Sequence, residues 1–439
     1  MHLYIHIPFC IKKCLYCDFL SVSYDKEKVS LYVKSLLNDI RLSAKSLQND
    51  NGSKITINTI YIGGGTPGTL TPDEITAVMN CIYDYFTVSE NAEITVEVNP
   101  CTVTKEKLAA YKNTGINRIS MGVQSFNDKT LKTLGRVHDA LTAVKAYKMI
   151  RNVGFENVNL DLISCVPGDG GFGNDMSDND PEISEIENYG NADPAKKFAI
   201  AERLVSEGRI NSFYDSLNLM AFLSPEHISV YQLIIEEGTP FYTLYGNGSD
   251  LLPDEDGQAD IYMKTSDFLK KRGYDHYEIS NFSKPGYASR HNTAYWLQHD
   301  YIGCGLGASG TVYIKDENDH LSAANRYRKI SEIPEYINIF SGAELPETEQ
   351  KTLEISENLT KSDLISEHIM LAMRMRPGFS PEKFEKLYGD DDDSVRQKLG
   401  ENIRILEKYM PEFINFDGDY YSFTEKGFLV SNTILSELI

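Results

Sequence analysis

The chain has 439 residues, 41% of them apolar, and a formal net charge of −21 at pH 7, so we expect two or three soluble domains. The negative charge repels phosphate polyanions and no basic patch is evident, which argues against a nucleic-acid partner. The sequence has no run of about 18 apolar residues and no secretory signal in its first ten residues, which predicts a cytoplasmic protein without a transmembrane segment.

The first two-thirds of the sequence alternates between strand-like and helix-like segments. Strands are predicted over 3–7, 57–62, 94–98, 116–121, 158–163 and 227–233. Helices are predicted over 25–47, over 72–85, from about 104 and over 194–205, the first of them from its 3.6-residue apolar period. Six strand–helix units indicate an α/β fold with a partial (β/α)6 barrel of the TIM type, and an open doubly wound sheet is the alternative.

One stretch, residues 169–193, interrupts this alternation. It is rich in Gly, Asn, Asp and Ser and has few apolar residues. Such a composition predicts an exposed acidic insertion.

The last hundred residues have a different pattern. Charged and polar residues alternate from about Ser341, which predicts a linker, and helices are predicted over 366–375 and 395–409 with an acidic turn at 390–393 between them. A two-strand turn is predicted over 416–420, and Thr424 is a candidate N-cap for a last helix that ends at Leu438. Helices followed by a hairpin indicate a small, mainly helical, winged-helix-like domain, and the acidity of the chain favours packing as a lid over DNA binding.

Three of the seven cysteines lie within eight residues, directly after the first predicted strand. Cys10, Cys14 and Cys17 form the pattern C-x3-C-x2-C, and a loop of this length can place three thiolates around one 4Fe-4S cluster. Three ligands leave one iron open, and in radical chemistry the amino and carboxylate groups of S-adenosylmethionine (SAM) occupy that position. The alternatives are a zinc site with His6 as the fourth ligand, or reduced thiols without a ligand.

The other four cysteines, Cys81, Cys101, Cys165 and Cys304, lack the spacing of ligands. We interpret them as small buried residues. The odd total also argues against a disulfide framework.

Further motifs follow along the chain. They are YIHIPFC at 4–10, YIGGGTP at 61–67, EVNP at 97–100, GVQSF at 122–126, LDLISCVPG at 160–168, HISVYQL at 227–233, EEGTPFY at 236–242, YEISNFSKPGY at 277–287 and RHNTAYW at 290–296. Together with the cysteines they resemble the HemN/HemW branch of the radical SAM superfamily, which contains oxygen-independent coproporphyrinogen III oxidase and the HemW heme chaperones. The resemblance covers nearly the whole chain apart from the acidic insertion.

This resemblance implies a SAM site at the ends of several strands. Its members would be Tyr4, Gly64, Gly65, Thr66, Glu97, Gln124, Arg136 and Asp161. Glycines 63–65 would leave the backbone open to the amino-acid end of SAM, Arg136 suits the carboxylate, and Glu97, Gln124 and Asp161 suit the ribose. Without the resemblance, the glycine run indicates a tight turn and the polar residues indicate structural roles.

Two features separate the chain from the oxidase. The oxidase has a fourth cysteine two positions after the third, where this chain has Phe19, and it has a substantial segment before its cluster, whereas Cys10 lies near the start here. Both features resemble the heme chaperones, which implies binding of heme and its transfer to an acceptor protein. Coproporphyrinogen oxidation is disfavoured, and the sequence identifies no catalytic residue.

His291 is the candidate heme ligand, because imidazole is a frequent ligand of heme iron. Tyr295 and Trp296 could cover a porphyrin face. The alternative is that His291 only makes hydrogen bonds within the barrel, as we expect of the structural residues His227 and His276.

Three functions therefore remain open. The first is a heme chaperone with a 4Fe-4S cluster and SAM; its partners would be heme, an acceptor protein and an electron donor, with peripheral contact to a membrane acceptor allowed. The second is a radical SAM enzyme acting on a tetrapyrrole, by coproporphyrinogen oxidation or heme degradation. The third, a radical modifier of RNA or protein, is disfavoured by the acidity and the motifs.

The resemblance also divides the chain into three expected regions. The radical SAM barrel would cover 1–240, including the acidic insertion at about 169–193. An extension of the barrel would cover 241–340, and the C-terminal domain would cover 341–439.

Overall fold

The computed structural model describes residues 1–47, 52–169, 186, 192–246, 248–342, 349–389 and 392–438. Most of the predicted acidic insertion therefore lies outside the described residues, as do residues 390 and 391 of the predicted acidic turn. No helix in the described ranges is long and apolar enough to cross a membrane.

Sixteen strands and sixteen helices occur in these ranges. The strands are β1 His2–Ile7, β2 Phe9–Cys10, β3 Val22–Ser23, β4 Thr56–Gly64, β5 Thr87–Val98, β6 Arg118–Gln124, β7 Asn157–Ser164, β8 His227–Gln232, β9 Asp275–Glu278, β10 Asn281–Ser283, β11 Tyr301–Cys304, β12 Ser309–Lys315, β13 Leu321–Lys329, β14 Leu353–Thr360, β15 Ile414–Phe416 and β16 Tyr421–Phe423. The helices are α1 Lys26–Ser46, α2 Pro72–Tyr85, α3 Lys105–Asn113, α4 Asp128–Thr133, α5 Ala140–Asn152, α6 Pro194–Ser206, α7 Phe213–Leu223, α8 Pro240–Tyr245, α9 Glu255–Lys271, α10 Arg290–Trp296, α11 Ile333–Ser341, α12 Lys361–Met373, α13 Pro381–Tyr388, α14 Asp393–Lys408, α15 Glu425–Leu429 and α16 Ser431–Ser436.

Twelve strands form one sheet in the order β14-β13-β12-β11-β1-β4-β5-β6-β7-β8-β10-β9. Strands β11, β1 and β4 to β8 run parallel to one another, and the outer strands on both sides are antiparallel. Six of the parallel strands, β1 and β4 to β8, precede helices in the chain. The predicted α/β class with a parallel sheet is therefore confirmed, and the sheet has edges at β14 and β9.

The two faces of the parallel sheet differ in composition. On β1, Leu3, Ile5 and Ile7 are fully buried in the main hydrophobic core, which also contains the apolar faces of α1 and α2. The alternate residues His2, Tyr4 and His6 point to the opposite face, because successive side chains of a strand alternate. We call this opposite face the interior of the sheet, and on β1 it carries polar and aromatic side chains.

A buried ion pair fixes α1 to the β11–β13 side of the sheet. Nζ of Lys329 lies 3.0 Å from Oδ1 of Asp39, and both side chains are 0% exposed. Oδ2 of Asp39 accepts hydrogen bonds from the Gly305 amide at 2.8 Å and from the Tyr336 hydroxyl at 2.9 Å. These three partners of Asp39 lie far away from it in the sequence. The ion pair therefore joins α1 to segments that meet it only when the chain folds.

The C-terminal part has its own hydrophobic core, formed by α12 to α16, the β15–β16 hairpin and part of β13. The linker predicted from Ser341 is wrong for residues 353–360, which form β14 and pair with β13. Most of the β14 side chains are exposed, which explains why its apolar content was too low to predict a strand. The predicted last helix is also interrupted: Thr424 caps α15, but the helix ends at Leu429 and α16 begins after the non-helical Val430.

Candidate cluster and cofactor site

The loop with the three cysteines follows β1 and is fixed at several points. The Cys10 carbonyl accepts a hydrogen bond from the Tyr24 amide at 2.9 Å, and the Leu15 amide donates to the Leu134 carbonyl at 3.1 Å. The Leu15 carbonyl accepts from the Phe241 amide at 3.1 Å. The loop is therefore held between the C-terminal end of α4 and the start of α8, in the segments that follow β6 and β8.

Cys10, Cys14 and Cys17 are half-buried, and their thiols lie close enough to affect one another. Burial raises the pKa of Cys10 and Cys17, and the neighbouring Cys14 raises both further. Nη1 of Arg136 donates a hydrogen bond to Sγ of Cys14 at 3.3 Å. Each cysteine ligand of a 4Fe-4S cluster binds a different iron. A loop that presents three neighbouring thiols therefore suits such a cluster.

The zinc alternative needs His6 as a fourth ligand beside the three cysteines. No group of three or more His, Cys, Asp or Glu side chains in the described ranges is arranged to hold a metal ion. His6 is also engaged elsewhere: Nδ1 lies 3.0 Å from the Tyr4 hydroxyl and Nε2 lies 3.2 Å from the Leu20 carbonyl.

The glycine run packs against the start of the cysteine loop. A Cβ on Gly64, which has φ +114°, would lie 2.7 Å from the His6 ring, and a Cβ on Gly65 would lie 2.7 Å from the Pro8 carbonyl. The absence of side chains thus allows β4 to approach β1 closely. Thr66, next in the chain, is buried, and its Oγ1 lies 3.6 Å from Sγ of Cys10.

Glu97 and Asp161 are two part-buried carboxylates on the inner face of the sheet. Oε1 of Glu97 accepts from the Tyr61 hydroxyl at 2.7 Å, and Oε2 accepts from the Gly64 amide at 3.1 Å. Burial, together with the charge of the nearby Asp161, raises the pKa of Glu97 to about 7. Burial also raises the pKa of Asp161, whose Oδ1 accepts from the Asn159 side chain at 2.7 Å.

Arg136 connects the cysteine loop to the strand ends. Besides Cys14, it donates through Nη2 to Oδ1 of Asn99 at 2.7 Å and to the Gly122 carbonyl at 2.8 Å. The other side of the Asn99 amide donates to Oγ1 of Thr66 at 3.0 Å. Asn99 therefore links two predicted site residues; sequence reasoning missed it, although it lies within the EVNP motif.

Gln124 is the last residue of β6 and has a left-handed backbone, with φ +70°. This conformation is unfavourable for a residue with a side chain and often occurs at functional sites. Its Oε1 is buried and has no hydrogen-bond partner among the described residues. An unsatisfied buried acceptor here fits a ligand hydroxyl, as the ribose assignment requires.

Tyr4 lies at the opposite side of this interior. Its ring stacks on Tyr61 at a centroid distance of 6.3 Å, and burial raises its pKa well above the ordinary value. The structure thus brings Tyr4, Glu97 and Tyr61 together, whereas Gln124 and Arg136 lie beside the cysteine loop.

His291 is buried deeper in the same interior, and both ring nitrogens have partners. Nδ1 lies 2.7 Å from Oγ1 of Thr59 and Nε2 lies 2.7 Å from the Tyr295 hydroxyl. The side chain is 1% exposed, and burial lowers its pKa to about 3, so the ring is neutral at pH 7. In this conformation neither nitrogen is free to bind iron, so a heme ligand role requires the release of one hydrogen bond.

The other two heme candidates, Tyr295 and Trp296, lie in different surroundings. The Tyr295 ring meets His291 edge to face at 4.9 Å, whereas Trp296 packs under the Arg374 guanidinium at 5.5 Å. Nε1 of Trp296 is buried without a partner among the described residues. As expected, His227 and His276 are buried with both ring nitrogens hydrogen-bonded.

Replacement of His291 by Ala is expected to destabilise the fold by about 2–4 kcal/mol, because it leaves a cavity and two hydroxyls without their partner. Urea unfolding followed by circular dichroism measures this loss. The matched variant His299→Ala, at an exposed ring, should cost less than about 1 kcal/mol. Equal midpoints for wild type and His291→Ala would contradict the structural role.

The sequence was also compared with known proteins. Residues 4–170 match the model of the radical SAM superfamily. The HemW heme chaperone of Lactococcus lactis is 31% identical over 94% of this chain and 98% of its own length. Those of Escherichia coli and Bacillus subtilis are also 31% identical, over 99% and 94% of this chain and 97% and 95% of their own lengths.

Among solved structures, coproporphyrinogen III oxidase (HemN) from Escherichia coli has a TM-score of 0.72. The match covers 100% of this chain and 89% of the oxidase, with 21% identity. At this identity the likeness shows the shared fold alone.

Proposed function

The chain belongs to the HemW heme chaperone family of the radical SAM superfamily, and on this premise we propose that it binds heme and delivers it to an acceptor protein. The observation that carries this proposal is the similarity to the chaperones over nearly the whole length of both chains. The shared fold with the oxidase does not distinguish the two functions, because one fold can carry several activities.

We also propose that Cys10, Cys14 and Cys17 hold a 4Fe-4S cluster with SAM at its open iron. The fixed cysteine loop, the close glycine backbone and the unsatisfied Gln124 oxygen support this assignment. SAM, when bound to a reduced cluster, supplies a sulfonium that one electron can cleave. Gly64, Gly65 and Thr66 would bind its amino-acid end, with Arg136 at the carboxylate. Tyr4, Glu97, Gln124 and Asp161 would surround the nucleoside.

The affinity for SAM is expected to increase with pH through about 7. Burial raises the pKa of Glu97 to about 7, so the carboxylate loses its proton in this range and becomes a stronger acceptor for ribose hydroxyls. Binding at pH 6 should be up to about tenfold weaker than at pH 8, the ratio of the ionised fractions. Anaerobic equilibrium dialysis of cluster-loaded protein measures this ratio. The Glu97→Gln variant should bind weakly at both pH values, and a pH-independent affinity in the wild type would refute the assignment.

For heme, we propose His291 as the iron ligand and Tyr295 and Trp296 as its neighbours. The short helix α10 carries all three residues. Release of the Tyr295 hydroxyl would free Nε2 of His291 while Nδ1 kept its bond to Thr59, which fixes the tautomer of the ring.

An anaerobic heme titration of the cluster-loaded protein tests this proposal. We expect a saturable one-to-one spectrum in the wild type and an altered Soret band in His291→Gln, which keeps polar atoms in the pocket. His227→Gln is the matched control, since this buried histidine also has two partners. An unchanged spectrum in His291→Gln would place the ligand elsewhere.

A wild type without specific heme uptake would contradict the chaperone function itself. We expect no turnover of coproporphyrinogen III, since Phe19 stands at the position of the oxidase's fourth cysteine. Robust turnover would instead favour a radical enzyme acting on a tetrapyrrole.

We further propose that the protein works in the cytoplasm with a one-electron donor and a heme acceptor as partners. All seven cysteines are free, which suits a reducing compartment. Anaerobic purification in which a thiol reagent finds the four other cysteines, Cys81, Cys101, Cys165 and Cys304, reduced after unfolding would agree with this location.

A further inference from the structure

Arg118 places a positive charge inside the polar face of the sheet. It is the first residue of β6, it is 2% exposed, and it ranks among the largest fully buried side chains in the described ranges. Its Nε has no hydrogen-bond partner among the described residues. A buried charge without such partners is costly unless opposite charges lie nearby, so its neighbours decide its role.

The strand register defines those neighbours. Arg118 pairs with Thr95 on β5 and with Asn157 on β7. Glu97 lies two residues beyond Thr95, and Asp161 lies four residues beyond Asn157. Because successive side chains of a strand alternate between its two faces, both carboxylates lie on the same face of the sheet as Arg118. The titratable groups that interact electrostatically with Arg118 are Tyr61, Glu97, Asp161, His227, Tyr277 and His291.

The layer also holds Glu93, a buried carboxylate two residues before Thr95 on β5, whose oxygens accept hydrogen bonds from the amides of Arg290 and His291. Burial lowers the pKa of His227 well below its ordinary value and that of His291 to about 3, so both rings are neutral at pH 7. The hydrogen bonds to Glu97 come from the neutral Tyr61 hydroxyl and the Gly64 amide. Among the described residues, Arg118 is thus a cation within the layer that acts electrostatically on both Glu97 and Asp161, while Arg136 acts on Asp161.

Two buried carboxylates that interact with each other tend to share one proton unless a cation compensates the second charge. We propose that Arg118 is a positioning residue that makes it easier for Glu97 to ionise beside Asp161, so that both carboxylates can accept hydrogen bonds from the nucleoside of SAM. The proposal rests on the SAM site proposed above and deepens it. Arg118 itself does not touch the cofactor in this assignment.

The test measures the ionisation of Glu97 directly. Infrared spectra recorded between pH 5 and 10 follow the carbonyl band of the protonated carboxyl, which is identified by its loss in Glu97→Gln. In Arg118→Met the midpoint should increase by about one pH unit, because an opposite charge normally lowers the pKa of a carboxyl by one unit or more. The affinity for SAM should then fall about fivefold at pH 7 and change little at pH 9, as the ionised fraction requires.

Three further variants make the result specific. Arg118→Lys keeps the charge and should restore the wild-type midpoint. Lys271→Met removes an exposed charge from α9 and should leave both measurements unchanged. Arg118→Gln, which keeps polar atoms in the interior, repeats the test if Arg118→Met does not fold.

An unchanged infrared midpoint in both uncharged variants would overturn the proposal. An equal loss of SAM affinity at pH 7 and pH 9 would also overturn the proposal, because a merely structural role of Arg118 predicts that result. If the wild type binds no SAM, the cofactor site is wrong, whereas a midpoint that increases in Arg118→Met still supports the pairing of Arg118 with Glu97.

Discussion

Replacement of Cys14 by Ala is expected to abolish the cluster. Anaerobic reconstitution of the wild type should incorporate nearly four irons per chain, and the variant should retain close to none, because two thiolates cannot hold a cubane whose fourth iron is already open. Cys14 is also the cysteine that accepts the Arg136 hydrogen bond at 3.3 Å, so its loss also removes this link between the cysteine loop and the strand ends. Iron analysis and the visible absorption of the cluster measure the effect.

Cys81→Ala provides the matched control. Cys81 is a buried cysteine on α2 whose thiol donates to the Leu37 carbonyl at 3.5 Å, away from the cysteine loop. This variant should keep the iron content of the wild type with a small loss of stability. A full SAM-responsive cluster signal in Cys14→Ala would disprove the ligand assignment.

Replacement of Lys329 by Met is expected to destabilise the protein by about 3–5 kcal/mol, because Asp39 then remains as a buried charge without its cation. Both side chains are 0% exposed, so water cannot replace the lost partner. The tyrosine and amide donors on the other oxygen of Asp39 remain and prevent a larger loss. Chemical denaturation followed by fluorescence measures the change in the free energy of unfolding.

The pair Lys315 and Asp319 is a suitable surface comparison, since its side chains are 49% and 82% exposed. Lys315→Met should change the free energy of unfolding by less than about 0.5 kcal/mol, because solvent screens the exposed pair. The double variant Asp39→Asn with Lys329→Met should recover much of the loss. Equal effects of the buried and the exposed lysine would contradict the role assigned to the pair.

Local patterns predicted the elements that surround the site. The helix predicted over 72–85 has the bounds Pro72–Tyr85, because Thr71 and Glu74 form a capping box at its start. The strand predicted over 94–98 ends at Val98 as observed, whereas the strands predicted over 57–62 and 116–121 stop two and three residues before the observed ends at Gly64 and Gln124. The cysteine spacing was sufficient to predict a cluster loop after β1.

Other features depend on residues that meet only in the folded chain. Lys329 and Asp39 are 290 residues apart, and Thr59 and His291 are 232 apart, so neither partner was predictable from spacing. For the same reason the sequence suggested His291 as a free heme ligand, although both its nitrogens are bonded. Arg118 was missed because a single arginine in an apolar strand has no periodic signal.

The position of β1 in the sheet affects the order in which the chain can assemble during synthesis. β1 pairs with β4, which leaves the ribosome early, and with β11, whose residues Tyr301–Cys304 emerge much later. The Leu306 amide donates to the Tyr32 hydroxyl at 3.0 Å, and this hydroxyl donates to the His6 carbonyl at 2.7 Å just before the cysteines. Before Tyr301 has been synthesised, β1 can pair with β4 but not with β11, and Tyr32 lacks its bond from Leu306. We therefore expect iron to be loaded after translation is complete.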